Sequence, residues 1–409
     1  MPQLSDIEAL PETNGNRLAE LRRRRRWNQQ RLATESGYSL SAVKKFEQGL
    51  RSLDRADVIL RFSKALDCHP TEITGQPYMP PGTDHDGQAA VAATAAVHRA
   101  LLRHGRPTRP ADAEVARVEL PSLRQRVAEV NGLRHKAALA RTAELLPQLL
   151  RDLQVAAEVS TGNDRRAAFD LLTSGYECAM QYLYKLGRTW DATLATERVL
   201  WSAEETEDPL RVIAAKWYDA GEFLAIGEHD EAGAIIDGAL TDLGAVRGHG
   251  PEKTSLEGAF HLKAALNHAR ATDQRAADRH LKLAEEVAGE LGEDRNDYQL
   301  QFGPTNVAIW SVTLPVEMGR GRDAVRQAER VRVPEQYAPE RRTQYLIDVG
   351  RAHFYNGQPD DAYRAFMEAE RLAPQQTRMH AGVKETVRVM RRTARRTPHD
   401  EFALRLGVA

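Results

Sequence analysis

A short polar and basic surface near residue 45 is the part of the chain best suited to contact a nucleic acid. Residues 39–49 read SLSAVKKFEQG, and Val43 and Phe46 recur on one side at helical spacing. The opposite side carries Leu40, Ser41, Lys44, Lys45 and Gln48, with Ser39 as the cap. Hydroxyl and ammonium groups donate hydrogen bonds to base edges, and a helix fits the major groove of DNA. This face is therefore a candidate for reading base pairs.

A preceding helix and a tight turn would hold this surface in place. Asn28 can cap a helix that turns Leu32 and Ala33 inward. Gly37 supplies the turn, since glycine adopts positive φ without strain. The pattern predicts a helix, a turn and a second helix, which is the arrangement that places a short helix in a DNA groove.

The expected contacts with DNA divide by role. Base-edge contacts are expected from Leu40, Ser41 and Lys45, where Leu40 could touch a thymine methyl group. Lys44 is expected to contact either a base or a phosphate. Gln29 at a helix N terminus and Arg51 just past Gly49 suit phosphate anchoring, which sets register without reading sequence.

Residues 16–75 resemble the XRE-type helix-turn-helix family, which includes the lambdoid phage repressors. The matching positions are Leu18, Leu21, Arg22, Asn28, Gln29, Leu32, Ala33, Glu47, Gln48 and Gly49. The resemblance implies a five-helix domain that binds double-stranded DNA. It also implies a structural ion pair between Arg22 and Glu47 that ties the first helix to the third. Leu40 departs from the family, which often has a polar residue at that position.

Charge is distributed unevenly along the chain. Residues 16–66 contain 13 Lys and Arg against 5 Asp and Glu, a net charge of +8, whereas the whole chain carries −1. The remainder is therefore at −9. This asymmetry predicts a polyanionic partner for the N-terminal domain alone.

The sequence argues against an enzyme, a bound metal and a membrane protein. Its two cysteines, Cys68 and Cys178, lie far apart, and His261 and His268 lack a companion glutamate at metal-ligand spacing. HExxH, GxSxG and a phosphate loop ending in GK[ST] do not occur. We expect no cofactor. The chain contains neither a secretory signal nor about eighteen consecutive apolar residues, which predicts a cytoplasmic location.

A repeat with helical character begins after residue 165. Four fragments, LGRTWDA, IGEHDEA, MGRGRDA and NGQPDDA, are each expected to end one helix and begin the next, and HARATDQRAA is a degenerate fifth. Their closing alanines, Ala192, Ala232, Ala276, Ala324 and Ala362, are 40, 44, 48 and 38 residues apart. This period fits stacked helix pairs, so we predict an all-α protein whose body is an α-solenoid. Residues 343–374 resemble a tetratricopeptide repeat.

The predicted organisation has five parts. An N-terminal arm covers residues 1–15, and the helix-turn-helix domain covers 16–75. Residues 76–111 are rich in proline and glycine and are expected to be a linker, in which residues 89–103 could form a helix. The tetratricopeptide-like domain spans 112–397, and a C-terminal tail spans 398–409.

The concave side of such a solenoid is a candidate effector site. The whole chain is similar to large actinobacterial XRE regulators and, remotely, to the peptide-pheromone regulators of Gram-positive bacteria, which clamp peptides with asparagines. The corresponding candidates are Asn267, Asn306 and Asn356, with Trp310 as an apolar wall. Alternatively, the asparagines are ordinary surface residues and Trp310 packs between repeats.

These observations predict a DNA-binding transcriptional regulator that acts as a homodimer on an inverted repeat. Three hypotheses remain for the body. It could sense a peptide or small molecule, or it could recruit partner proteins in a constitutive regulator. The third is an interaction scaffold whose helix-turn-helix no longer binds DNA.

Overall fold

The computed structural model describes residues 13–103, 110–393 and 400–408 of the 409-residue chain. Within these ranges the regular structure is helical and no β-strand forms, which confirms the all-α fold class. Most of the predicted N-terminal arm, residues 1–12, lies outside the described ranges, as do residues 104–109 of the predicted linker, residues 394–399 and Ala409.

The N-terminal domain, called the head here, comprises residues 13–75 and contains five helices. They are α1 (Asn14–Arg24), α2 (Gln29–Ser36), α3 (Leu40–Glu47), α4 (Ala56–Leu66) and α5 (Pro70–Thr74). Thr13, Asn28 and Ser39 cap α1, α2 and α3 with their side-chain oxygens, and Gly37 makes the turn at a φ of 71°. Val43 and Phe46 are buried in the head core, so the opposite face of α3 is turned outward.

The rest of the chain, called the body here, begins with helices that the sequence analysis assigned to a linker. They are α6 (His85–Ala92), α7 (Thr94–Leu102) and α8 (Asp112–Val115). Ala90, Val97 and Leu101 are fully or almost fully buried in the large core of the body. The body therefore starts earlier than predicted, because a few well-placed apolar residues anchor α6 and α7 despite the prolines and glycines before them.

Two long helices follow, α9 (Leu120–His135) and α10 (Leu139–Val159). The sequence predicts a kink or a break at Pro147; Pro147 lies inside α10, so the helix does not break there. The chain breaks instead between the two helices, where Ala137 adopts a φ of 57°. Leu146, Leu149 and Leu150 bury the face around the proline, and this packing offsets its missing backbone hydrogen bond.

Five helix pairs form the centre of the body. They are α11 (Gly162–Lys185) with α12 (Thr189–Glu204), α13 (Pro209–Ile226) with α14 (His229–Ala245), α15 (Pro251–Arg270) with α16 (Gln274–Leu291), α17 (Pro304–Glu317) with α18 (Gly321–Ala328), and α19 (Pro339–Tyr355) with α20 (Pro359–Leu372). The members of each pair pack against each other. Each of the five repeat fragments lies at the turn inside a pair, as the sequence predicts.

The closing alanine predicted for the degenerate fragment HARATDQRAA is one residue too early. Gly187, Gly227, Gly319 and Gly357 adopt a left-handed backbone at φ between 71° and 82°, and Thr272 does so at 65°. In the other four pairs the closing alanine lies five residues after the left-handed residue of the turn. Counted from Thr272, the equivalent of Ala192 is therefore Ala277 and not Ala276. Both alanines are buried, which explains why the sequence alone did not separate them.

A Thr272→Gly substitution is expected to raise the free energy of unfolding by up to about 1 kcal/mol, because glycine relieves the left-handed strain at little steric cost. Urea unfolding followed by circular dichroism measures the change. Thr241→Gly, inside α14, is the matched control and should lower the free energy of unfolding by about 0.5–1 kcal/mol. Equal losses of free energy of unfolding in both variants would contradict a strained left-handed backbone at Thr272.

The described C-terminal residues form packed helices. After α21 (Pro374–Met379) and α22 (Ala381–Thr393), the described chain resumes with α23 (Asp400–Leu406). Phe402 and Leu406 are fully buried against Val383 and Val387 of α22. The tail assignment of residues 398–409 is therefore wrong for residues 401–408, because two large apolar side chains at helical spacing dock this segment.

The head rests on the turns of the body's helix pairs. Leu60 of α4 lies against Gly227, and Arg55 lies beside Gly319. The His69 ring is 4.9 Å from the ring of Trp190. Small left-handed glycines at these turns allow the head to approach the body backbone closely. The head and the body thus share an extended contact through α4 and α5.

Candidate DNA-binding surface and interdomain cavity

The outer face of α3 presents the polar and basic groups that the sequence singles out. Ser41, Lys44, Lys45 and Gln48 are exposed, as is the cap residue Ser39. Leu40 is half-buried and packs against the head core. The carbonyl of Gln48 accepts a hydrogen bond of 3.2 Å from Arg392 of α22. The helix therefore offers donors to solvent along its length, and the body contributes a cation at its C-terminal end.

A buried ion pair fixes α3 relative to the other head helices. The Arg22 guanidinium donates to both carboxylate oxygens of Glu47, at 2.6 and 3.0 Å. Gln29 of α2 also donates to this carboxylate at 2.7 Å. Arg22 additionally donates to the carbonyl of Trp27 at 2.7 Å. One carboxylate thus joins α1, α2 and α3, and the orientation of the outer face of α3 depends on it.

Replacing Glu47 with alanine is expected to lower the stability of the head by about 1.5–3 kcal/mol, since Arg22 and Gln29 would lose a charged hydrogen-bond acceptor. Thermal unfolding measures the loss. Glu35→Ala is the matched control, because its contact with Arg31 is exposed and 3.9 Å long and should contribute less than about 1 kcal/mol. An unchanged melting temperature for Glu47→Ala would show that the Arg22–Glu47 pair does not stabilise the packing of α1 against α3.

The expected phosphate anchors have the following positions. The Gln29 amide nitrogen is engaged with Glu47, while its backbone lies at the N terminus of α2. Arg51 is exposed, and its guanidinium lies 4.7 Å from the centre of the Phe46 ring. In the arginine run, α1 ends at Arg24, Arg25 pairs with Asp67 at 3.1 Å, and Arg26 is exposed. The assignment of phosphate contacts among these residues remains a prediction.

A cavity of about 530 Å³ lies between the head and the body. The first helix of each of the five pairs contributes side chains at helical spacing to its wall. They are Gln181, Tyr184 and Lys185 on α11, Trp217, Gly221 and Ala225 on α13, Lys263, Leu266 and Arg270 on α15, Trp310, Thr313 and Glu317 on α17, and Arg341, Gln344, Asp348 and Arg351 on α19. The head closes one side with residues of α4 and α5, including Ile59, Leu60 and Thr74. The volume falls in the range of small-molecule sites.

Buried charges join the head to this wall. Arg351 of α19 lies 3.4 Å from Asp54 of the head, 3.2 Å from Glu317 and 3.5 Å from Asp348. Tyr355 also donates to Asp54. Burial alone would raise the pKa of Glu317, but the charges of Arg270 and Arg351 outweigh it and lower the pKa to about 2. Arg351 therefore contacts carboxylates of both domains and helps to keep Glu317 ionised.

Lys263 differs from the other charged groups of the wall. Its side chain is buried, and among the described residues no carboxylate lies within ion-pair distance of it. The ammonium lies 3.3 Å from the centre of the Trp217 ring. Burial, with a smaller contribution from the charge of Arg270, lowers the pKa of Lys263 to about 7. A cation–π contact stabilises this ammonium less than a carboxylate partner would.

The structure separates the predicted effector residues from each other. Trp310 lines the cavity, whereas none of the three asparagines belongs to the described lining. Asn267 exchanges hydrogen bonds with His229, and Asn306 donates to the Gln301 carbonyl at 2.6 Å. Asn356 is exposed and donates to Gln358 at 2.7 Å. The asparagine clamp remains a prediction, and it would need these amides to exchange their present partners.

Sequence reasoning did not identify Lys263, Trp217 or Arg351 as members of this site. A usable signal existed, because the residues facing the cavity recur at three- and four-residue spacing along the first helix of every pair. Once the turns were located, that register could have been projected onto α13, α15 and α19. Among the described residues, no three His, Cys, Asp or Glu side chains converge as a metal-ion site.

Comparison with known proteins agrees with the geometry of the head. A family model described as a helix-turn-helix domain matches residues 15–74, which correspond closely to α1–α5. No curated protein matches the chain. None of the helices in the described ranges has a stretch both long and apolar enough to cross a lipid bilayer. The head is thus a helix-turn-helix domain, which indicates a DNA-binding regulator.

Proposed function

We propose that the protein is a sequence-specific transcriptional regulator that reads an operator with the outer face of α3. The observation that carries this proposal is the exposed set of Ser41, Lys44, Lys45 and Gln48 on a helix fixed by the Arg22–Glu47 pair. Such a helix supplies donors for base edges in the major groove, and the net charge of +8 over residues 16–66 attracts the phosphate backbone. The XRE subtype and the tetratricopeptide-like identity of the body are part of this proposal.

The regulator acts as a homodimer on an inverted repeat. One helix-turn-helix contacts a short half-site through about three or four side chains, which by itself gives limited discrimination. Two copies related by a two-fold axis double the contacted sequence. The protein works in the cytoplasm on double-stranded DNA, and it needs neither a cofactor nor a catalytic reaction for this role.

Regulation by a bound effector is favoured over constitutive recruitment of partner proteins. The supporting observation is the cavity of about 530 Å³ lined by polar and aromatic groups of both domains. A ligand changes activity only if it binds one arrangement of the domains better than another, and a ligand that touches both domains meets this condition. The scaffold hypothesis offers no reason for the exposed donors on α3.

Affinity-enriched sequencing of genomic fragments tests this function. Purified full-length protein is incubated with fragmented DNA from the source organism, with and without small-molecule extract of the same cells. The proposal expects a few strongly enriched loci that share an inverted motif, and a change in their enrichment when extract is added. Uniform recovery of all fragments would overturn the proposal, and enrichment that extract does not alter would favour a constitutive regulator.

A further inference from the structure

Among the described residues of the cavity wall, Lys263 is a cation whose ammonium has no ion-pair partner and no hydrogen-bond acceptor. Lys185 pairs with Glu340 at 2.9 Å, and Arg270 pairs with Glu317 at 2.9 Å. Arg341 donates to the Asn306 side chain at 2.7 and 3.1 Å. Among the described residues, Lys263 has neither an ion pair nor a hydrogen bond from its ammonium and is only 6% exposed. Burying an ammonium without a partner is unfavourable, so this position suits a group that arrives from outside the chain.

The surroundings of Lys263 are fixed and partly apolar. The Trp217 indole nitrogen donates to the carbonyl of Ala259 at 3.2 Å, which sets the orientation of the ring below the ammonium. Gly221 allows the ammonium to lie close to α13, since a Cβ atom at this position would come within 3.3 Å of it. Leu266 and Trp310 belong to the same wall. The ammonium therefore covers one face of the Trp217 ring, and Leu266 and Trp310 supply apolar surface in the same cavity.

Glu222 is a carboxylate of the cavity wall whose charge acts on Lys263. Its oxygens accept hydrogen bonds from Thr193 and Thr196 at 2.6 and 2.8 Å, and it forms no ion pair with Lys263. Its negative charge raises the pKa of Lys263, but burial dominates and the net shift is downward. Glu222 thus accepts its hydrogen bonds from hydroxyl groups, and it forms no ion pair with Lys263.

We propose that this cavity binds a small organic anion whose carboxylate or sulfonate pairs with Lys263 and whose apolar part packs against Leu266 and Trp310 of the same wall. The ligand would lie between the head and the wall of the body and would favour the docked arrangement of the two domains. Its influence on operator binding rests on the proposed function, but the binding site itself does not.

A pair of fluorescent probes tests the site in the full-length protein without DNA. One is 1-anilinonaphthalene-8-sulfonate, and the other is N-phenyl-1-naphthylamine, which has the same aromatic skeleton without the sulfonate. Lys263→Met removes the charge and keeps an apolar side chain of similar length. Lys282→Met is the matched control, because Lys282 is exposed on α16.

The sulfonate probe is expected to bind wild-type protein at one saturable site. Lys263→Met should weaken this binding at least tenfold and leave the affinity for the neutral probe within twofold, while Lys282→Met changes neither. Equal affinity of wild type and Lys263→Met for the sulfonate would overturn the proposal, as would the absence of a saturable site. If either contradicting result is found while operator binding persists, the proposed ligand site is wrong and the proposed function stands.

The pH dependence in wild-type protein gives a second test that does not depend on any variant. The anion binds the protonated amine, so affinity for the sulfonate should be highest below the Lys263 pKa of about 7 and fall as pH rises from 6 to 8.5. Charged groups near Lys263 are Glu222 on α13 and Arg270 on its own helix. Burial lowers the pKa of the cavity residue His380 to about 3, so its charge does not change in this range. A flat profile for the sulfonate would contradict the assignment.

Discussion

An Arg351→Met variant is expected to lose about 3–5 kcal/mol of its free energy of unfolding, which is the usual effect of removing one partner from a buried ionic cluster. The guanidinium contacts Asp54, Glu317 and Asp348, each of which is almost completely buried. Without the guanidinium, carboxylates from the head and the body would lie close together with less positive charge to offset their repulsion. Urea unfolding followed by circular dichroism at pH 7 measures the loss. The part that comes from Glu317 should shrink as pH falls from 4.5 towards its pKa of about 2, because the lowered pKa stabilises the fold only while the carboxylate is ionised.

Arg364→Met is the control for the loss of one arginine. Arg364 is exposed on α20 and pairs with Asp361 in the same helix, so its removal should cost less than about 1 kcal/mol. Equal unfolding midpoints for the two variants would contradict a central role for Arg351. Because Asp54 belongs to the head, the same variant should also make the segment between head and body, residues 76–84, more susceptible to proteolysis.

Lys45→Ala is expected to weaken binding to the cognate operator by about 1–3 kcal/mol, the contribution of a good contact to a base edge. Lys45 is exposed on the outer face of α3, and fluorescence anisotropy with labelled duplexes measures the change. Lys64→Ala, on α4, removes the same charge from the head but lies outside α3 and serves as the matched control. Equal weakening on cognate and random DNA would reassign Lys45 to a phosphate contact.

The parts of the fold that depend on local sequence could be predicted. Caps at Asn28 and Ser39 and the turn at Gly37 act within a few residues, and together they define α2 and α3. The repeat turns are also defined by residues close in sequence, because a glycine and a buried alanine five residues later recur in four of the five pairs. Thr272 breaks the pattern only in residue type, since it adopts the same backbone conformation.

The interdomain site could not be predicted, because its members are distant in sequence. Asp54 and Arg351 are 297 residues apart, and nothing in either local sequence indicates the other. The packing of α6 and α23 against the body was also not predicted, since it depends on a few apolar residues beside prolines and glycines. For Asn267 and Asn306, residue type gave no sign that partners within the chain already occupy their amides.

Selection from a pool of randomised duplexes, carried out with the full-length protein at known oligomeric state, tests the central claim most directly. We predict enrichment of two short half-sites in inverted orientation, spaced by about 10 base pairs or a multiple of that distance, and bound by a dimer. The Lys45→Ala variant should lose preference at one position of each half-site. Recovery of sequences indistinguishable from the starting pool would contradict the claim that α3 reads DNA.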